Sequence, residues 1–189
     1  MSPLAHWLDV AVSDRMLYIR VSGLGDMRLA SLLSDVSDHW MHEGPRDILV
    51  ALGACTGLDS TFMGTLLRLS ESADLVARQL RIMDVPPICR KCLETLGIDQ
   101  LLHLEEHLAV PELTLERLHP EPSSRAMQLQ VIRTAHIRLV AANAENRVRF
   151  GPFLDALDRE LSARRDKMPV ELDDMGDAED VDTSEIDPV

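Results

Sequence analysis

One stretch of the chain, from Asp47 to Leu67, reads DILVALGACTGLDSTFMGTLL. Its first part, Ile48 to Leu52, is apolar without alternation, which is typical of a strand buried on both faces of a sheet. A short loop of small residues follows, and the segment that begins with Asp59 places apolar residues at helical spacing. The stretch therefore predicts a buried strand, a loop and a helix in direct succession.

Upstream of this stretch, the pattern predicts a β-hairpin and a first helix. Leu8 to Val12 and Leu17 to Val21 alternate apolar with polar or small residues, and a short polar turn separates them. Asp26 is a candidate N-cap, because its carboxylate can accept a hydrogen bond from a free helical N–H. The apolar residues that share one face of the following helix are Leu29, Leu32, Leu33, Val36 and Trp40.

Downstream, the elements continue to alternate. Leu80 to Val85 predicts a strand, Pro86-Pro87 opens a helix that Gly97 ends, and residues 101–104 predict a last short strand. The order over about the first 110 residues is β-β-α-β-α-β-α-β. We therefore predict an α/β fold with a mixed, mostly parallel sheet of four to five strands and packed helices.

The rest of the chain predicts a helical hairpin, because two stripes of apolar residues at helical spacing follow a proline-containing segment. Such stripes are unstable alone in water, so each must pack on another surface. That surface is either the hairpin's own domain or another chain, and in the second case the hairpin is a dimerisation or docking element. The predicted parts are an α/β domain over 1–109, a linker over 110–124, a helical extension over 125–168 and a disordered acidic tail over 169–189.

The charge supports this division. The chain has 189 residues and a formal net charge of −13. Nine acidic residues and no basic residue lie between Val170 and Val189, which leaves −4 for the remainder. The acid excess argues against a general nucleic-acid binder. No apolar run reaches the ~18–20 residues of a membrane span, and the N-terminus lacks a secretory-signal pattern, so we expect a cytoplasmic protein.

The segment from Asp47 to Leu67 resembles the STAS domain, the fold of anti-sigma factor antagonists. Those proteins carry a buried strand, a short loop and then Asp-Ser-Ser/Thr-Gly-Leu-Gly at the start of a helix. Here the motif reads Asp59-Ser60-Thr61-Phe62-Met63-Gly64. The resemblance covers about Leu8 to Glu106 and includes Gly23-Leu24-Gly25-Asp26, where the family often shows Gly-x-x-Asp.

One departure from the family pattern is Phe62, which stands where the family has its first glycine. This large side chain either fills a core pocket or alters access to the neighbouring hydroxyls. A purely structural interpretation of the motif also stays open, since Asp59 or Ser60 can simply cap the helix.

In anti-sigma factor antagonists, the motif serine is phosphorylated by an anti-sigma factor that is also a kinase, and the unphosphorylated form binds that kinase. The resemblance therefore implies Ser60, with Thr61 beside it, as phosphoacceptor. It implies a partner that is an anti-sigma factor or a serine kinase of histidine-kinase-like ATPase type, with no cofactor and no enzymatic activity. The implied partner-binding residues are Asp26, Asp59, Ser60, Thr61, Phe62, Met63 and Gly64.

An alternative function is a constitutive STAS scaffold without a phosphorylation switch, which the helical extension assembles into a homodimer through residues 125–168. Phe62 in place of glycine favours this version.

Two further motifs have weaker functional interpretations. Cys89-Arg90-Lys91-Cys92 near a helix start has the local setting of a redox dithiol, although two thiols packed at the core are the commoner arrangement. As zinc ligands these two cysteines would need Cys55 and a histidine, which the spacing does not indicate.

His103 to His107 matches H-x-x-E-H, but the segment looks like a strand end rather than the helix that a metal hydrolase requires. We predict no metal site.

Overall fold

A six-stranded sheet forms the centre of the molecule. The computed structural model describes residues 6–13, 15–42, 47–106 and 112–165. The strands are β1 (Trp7–Val12), β2 (Met16–Gly25), β3 (Asp47–Leu58), β4 (Leu80–Met83), β5 (His103–Glu105) and β6 (Glu116–Leu118). Their order across the sheet is β5-β4-β3-β2-β1-β6. β2 to β5 run parallel to one another, whereas β1 pairs antiparallel with both β2 and β6. The predicted mixed, mostly parallel α/β fold is confirmed.

The sheet has one strand more than the four to five predicted. β6 lies inside the segment predicted as a linker and places Leu118 opposite Leu8 of β1. Its Arg117 donates from Nε to a carboxylate oxygen of Asp9 at 2.9 Å, and Asp9 is almost fully buried. Three residues are too few to show a strand periodicity, so this edge strand leaves no recognisable pattern in the sequence.

The described helices are α1 (Met27–His42), α2 (Ser60–Leu75), α3 (Pro87–Thr95), α4 (Arg125–Ala142) and α5 (Ala144–Arg165). α1 to α4 contribute to one large core on one side of the sheet, and Phe62 and Leu66 of α2 are fully buried in it. None of these helices has the length and apolar character needed to span a bilayer. The predicted acidic tail, 169–189, lies outside the described residues.

β3 is longer than its apolar run. The prediction ended the strand at Leu52 and placed a loop of small residues behind it, but the strand continues to Leu58. Pairing with β2 persists to Gly25 opposite Leu58, across two register irregularities. Gly23, with φ of 85°, supplies backbone freedom within this stretch. Because β2 and β3 end together, the residues that follow each strand lie side by side.

The helical extension forms the predicted hairpin and packs on its own domain. Ion pairs between Arg133 and Asp158 and between Arg125 and Glu160 show that α4 and α5 run antiparallel. The two helices are separated by a single residue, Asn143, whose side chain accepts a hydrogen bond from the Asn146 N–H at 2.8 Å. The sequence left open whether the hairpin packs on its own domain or on another chain. The structure shows the first arrangement, with α4 packed against α1 and α2.

Candidate functional site

Asp59 joins the first turns of two helices. Its Oδ1 accepts from the Phe62 N–H at 2.7 Å, and its Oδ2 accepts from the Met27 N–H at 2.9 Å. Its own N–H donates to the carbonyl oxygen of Gly25 at 2.9 Å. The carboxylate thus satisfies free donors at the starts of α1 and α2 together, which fixes the ends of β2 and β3 relative to each other.

Asp26 caps α1, as predicted. Its Oδ1 accepts from the N–H groups of Arg28 and Leu29 at 3.0 and 3.1 Å, and the Arg28 guanidinium pairs with Oδ2 at 3.1 Å. Burial raises the pKa of Asp59, and the negative charge of Asp26 raises it further, while the hydrogen bonds from Phe62 and Met27 act in the opposite direction. The two carboxylates form a compact acidic feature at this end of the sheet.

Ser60 is the first residue of α2, and its hydroxyl contacts a residue from the helical extension. Ser60 Oγ lies 3.0 Å from Nε2 of His136 in α4, while Nδ1 of the same ring lies 2.8 Å from the Ile132 carbonyl oxygen. A carbonyl can only accept, so we assign the ring proton to Nδ1. In the neutral ring Nε2 is then an acceptor, and Ser60 donates its hydroxyl proton to it.

The surroundings of His136 favour this neutral form. The ring is 4% exposed, and the rings of Phe150 and Phe153 in α5 lie with centroids 5.1 and 4.9 Å away. Burial lowers the pKa of His136, with the Ile132 hydrogen bond and the charge of Asp59 opposing the shift. The sequence analysis missed this residue; the available cue is its place directly after Ala135 in the apolar stripe of α4.

The remaining motif residues are buried under α4 or in the core. Thr61 is 5% exposed and Phe62 is 0% exposed, so Phe62 fills a core pocket, one of the two roles expected for it. Met63 and Gly64 are also buried. Of the seven predicted partner-binding residues, Asp26, Asp59 and Ser60 therefore keep partial exposure, and the other four do not.

The Cys89–Cys92 motif lies on α3, and Cys89 contacts Cys55 of β3. Cys89 Sγ contacts the carbonyl oxygen of Cys55 at 3.9 Å, and Cys55 Sγ donates to the Gly57 carbonyl oxygen at 3.2 Å. A hydrogen bond between the side chains of Cys55 and Cys89 lowers the pKa of Cys55 to about 7 and, together with burial, raises the pKa of Cys89. Both thiols are free and buried, and Cys92 is half-buried. Residues 6–13, 15–42, 47–106 and 112–165 contain no cluster of three or more potential metal ligands.

The fold of this chain is similar to that of known proteins. A family model described as Mlab, STAS domain, matches residues 8–105. The chain belongs to the STAS domain family. The structure of an anti-sigma factor antagonist from Mycobacterium paratuberculosis is similar with a TM-score of 0.50 at 21% identity, over 57% of this chain and 91% of that chain. No curated protein matches the chain.

A candidate anti-sigma factor antagonist from Thermotoga maritima is similar with a TM-score of 0.47 at 14% identity, over 52% of this chain and 86% of that chain. The family match ends at residue 105, before α4 begins. Asp26, Asp59 and Ser60 therefore belong to the STAS part of the chain, whereas His136 belongs to the extension.

Proposed function

We propose that this STAS protein is a non-enzymatic cytoplasmic regulator that binds a protein partner through the surface around Asp26, Asp59 and Ser60. Phosphorylation of Ser60 switches the binding. By analogy with anti-sigma factor antagonists, the partner is an anti-sigma factor or a serine kinase of histidine-kinase-like ATPase type. The observation that carries the proposal is the position of Ser60 at the start of α2, next to the Asp59 carboxylate that joins two helices.

The electrostatics of the site suit such a switch. A phosphate adds about −1.5 to −2 charge. At Ser60 this charge would stand beside the Asp59 carboxylate, so a partner that accepts the neutral hydroxyl would meet two adjacent negative groups instead of one, since Arg28 pairs with Asp26. The N-terminus of α2 would partly offset the added charge through its helix dipole.

Ser60 is a better phosphoacceptor than Thr61. Ser60 is half-buried at the first turn of α2, whereas Thr61 is 5% exposed and faces the interior. A kinase must place the hydroxyl in line with the transferred phosphoryl group, which requires access to the oxygen. We therefore assign the modification to Ser60 alone.

Mass spectrometry of the protein from its own cells tests this proposal. We expect one phosphate on the peptide that contains Asp59 to Gly64, localised to Ser60. Ser60→Ala removes it, and Ser72→Ala, a substitution further along the same helix, leaves it in place. A phosphate that persists on another residue in the Ser60→Ala protein, or its absence from the wild-type peptide, would contradict the switch.

A second candidate function is the constitutive scaffold, which the burial of Thr61 to Gly64 favours because this part of the motif is closed to a partner. The scaffold requires self-association through residues 125–168. Light scattering on the full chain, whose mass is 21.1 kDa, distinguishes the two: a dimer supports the scaffold, and a monomer removes it.

A further inference from the structure

We propose that the α4–α5 hairpin competes with the partner for the surface around Ser60 and is held there by the hydrogen bond between Ser60 and His136. The inference rests on the proposed function and adds the regulation of that same surface. The hairpin lies outside the residues that match the STAS family, so it is an addition to the domain that carries the site.

The first step of the argument is steric. α4 crosses α2 so closely that a Cβ atom at Gly64 would lie 2.3 Å from the carbonyl oxygen of Ala135. The next residue on α4 is His136, which reaches Ser60 at the start of α2. A protein that approaches Ser60 and Gly64 on this face of α2 therefore meets α4 first. The hairpin and such a partner cannot occupy this face together.

The second step is chemical. In the docked hairpin Ser60 is the donor and His136 the acceptor, because the other ring nitrogen is committed to Ile132. A phosphorylated Ser60 has lost the hydroxyl proton, so it cannot donate to Nε2. Phosphorylation therefore breaks the hydrogen bond that holds α4 at this point and disfavours its docked position, and by linkage whatever frees the hairpin exposes Ser60.

The third step concerns how firmly the hairpin is held. α4 buries four of its 18 residues, namely Leu129, Ala135, His136 and Leu139, whereas α2 buries ten of its 16. Much of the apolar surface of the hairpin is solvent-exposed, with Met127 at 57% and Val148 at 79%. An element with little buried apolar area opens more readily than the core does.

The hairpin has a second attachment at a distance from Ser60. The side-chain amides of Asn143 and Asn146 both donate to the Leu96 carbonyl oxygen, at 2.9 and 2.8 Å, and so satisfy the end of α3. This contact holds the α4–α5 junction independently of His136. The part of α4 over Ser60 can therefore loosen while the junction stays in place.

Amide hydrogen exchange on the purified full chain tests the inference without a partner. Ser60→Glu places a carboxylate against His136, and His136→Phe removes the acceptor but keeps an aromatic ring of similar size. We expect amides of α4 over residues 125–142 to exchange about tenfold faster in both variants, the effect of losing one buried hydrogen bond. Amides of β3 over residues 47–58 stay as protected as in the wild type, which shows that the domain remains folded.

The matched control is Thr56→Glu, which adds the same charge at an exposed position near the end of β3. We expect it to leave the exchange of α4 unchanged. Equal protection of α4 in the wild type, Ser60→Glu and His136→Phe would overturn the inference. So would faster exchange in Thr56→Glu of the same size, because the response would then be to charge alone.

A second measurement separates this inference from the proposed function. The fraction of Ser60 that carries phosphate in the native cells is compared between the wild type and His136→Phe. We expect about a fivefold rise in the ratio of phosphorylated to unmodified Ser60 in the variant, a typical coupling between two sites. Phosphate at Ser60 in equal amounts would overturn the competition by the hairpin. No phosphate at Ser60 in either protein would overturn the proposed function, and the competition that rests on it.

Discussion

α2 and α4 pack against each other, yet they are built in different ways. α2 begins with the Asp59 cap and buries most of its length between the sheet and α4, including Phe62 in place of the family's glycine. α4 is capped by Ser124 and buries four of its 18 residues, while other apolar residues such as Met127 stay exposed. The helix that carries the site thus belongs to the core, while the helix that covers it buries fewer of its own residues. A regulatory surface with such a cover can be opened without unfolding the domain that presents it.

We expect the largest loss of stability from a substitution in α2. Phe62→Ala removes a fully buried ring and leaves a cavity in the main core. We expect the free energy of unfolding to fall by about 3–5 kcal/mol, measured by urea denaturation. Phe153→Ala, which truncates a ring that is 44% exposed on α5, is the matched control and should cost distinctly less. Equal losses would show that the hairpin is as firmly packed as the core.

The crossing of the two helices gives the next effect. Gly64→Ala places a methyl group against the backbone of Ala135, which cannot move aside as a flexible side chain can. Overpacking of this kind costs about 1–3 kcal/mol, and we expect it to appear as faster amide exchange in α4.

Gly151→Ala provides the control for this crossing, because a Cβ at Gly151 meets nothing within 4 Å. Alanine favours the helix by about 0.5–1 kcal/mol, but the ring of the following Pro152 opposes a Cβ here, so we expect a net change below about 1 kcal/mol. If Gly64→Ala were as well tolerated as Gly151→Ala, the close approach of α2 and α4 would be wrong.

The pH dependence of the hairpin gives a smaller effect. Burial lowers the pKa of His136 in the docked state, so the undocked state binds more protons between that lowered pKa and the ordinary value of about 6.5. Docking is therefore complete above about pH 6.5 and weakens as the pH falls below it, by at most about 1.4 kcal/mol per pH unit.

The groups that face His136 are Ser60 and the charged Asp59 from α2, and Phe150 and Phe153 from α5. Asp59 favours the protonated ring and so limits the weakening of hairpin docking at low pH. We would measure this weakening as the change in amide exchange of α4 between about pH 7.5 and about pH 5.5, corrected for intrinsic exchange. Loss of protection on acidification that persists in His136→Gln would contradict the assignment to this ring.

The smallest effect belongs to the exposed rim of the contact. Arg138 of α4 pairs with Glu71 of α2 at 3.3 Å, and both side chains are 45% exposed. Arg138→Glu should weaken hairpin docking by about 0.2–1 kcal/mol, the range for exposed ion pairs. The exchanged pair, Glu71→Arg with Arg138→Glu, should restore it. Failure of the exchange to restore protection in α4 would show that Arg138 acts through something other than this pair.

Much of the fold could be predicted because local patterns matched the final structure. The alternating strands, the buried run from Ile48 to Leu52, and the caps at Asp26 and Asp59 all depend on neighbours in sequence. β6 and the far end of β3 could not be predicted in this way. The former is too short for periodicity, and the latter is a run of small residues held in the sheet by β2.

The site was predictable in part for the same reason. Asp59 and Ser60 lie in one contiguous motif, whereas His136 is 76 residues away from its partner Ser60 and joins it through tertiary packing of the hairpin. Its Nδ1 bond to Ile132 is local, but no sequence spacing around His136 indicates that its other nitrogen contacts Ser60. The packing of α4 over the site could therefore be seen only in the structure.

The most direct test of the account is the phosphate on Ser60 in the full chain from its own cells, measured in the wild type beside His136→Phe. The account predicts phosphate at Ser60 in both proteins, with the higher phosphorylated fraction in His136→Phe. Absence of phosphate from Ser60 in both proteins would contradict it.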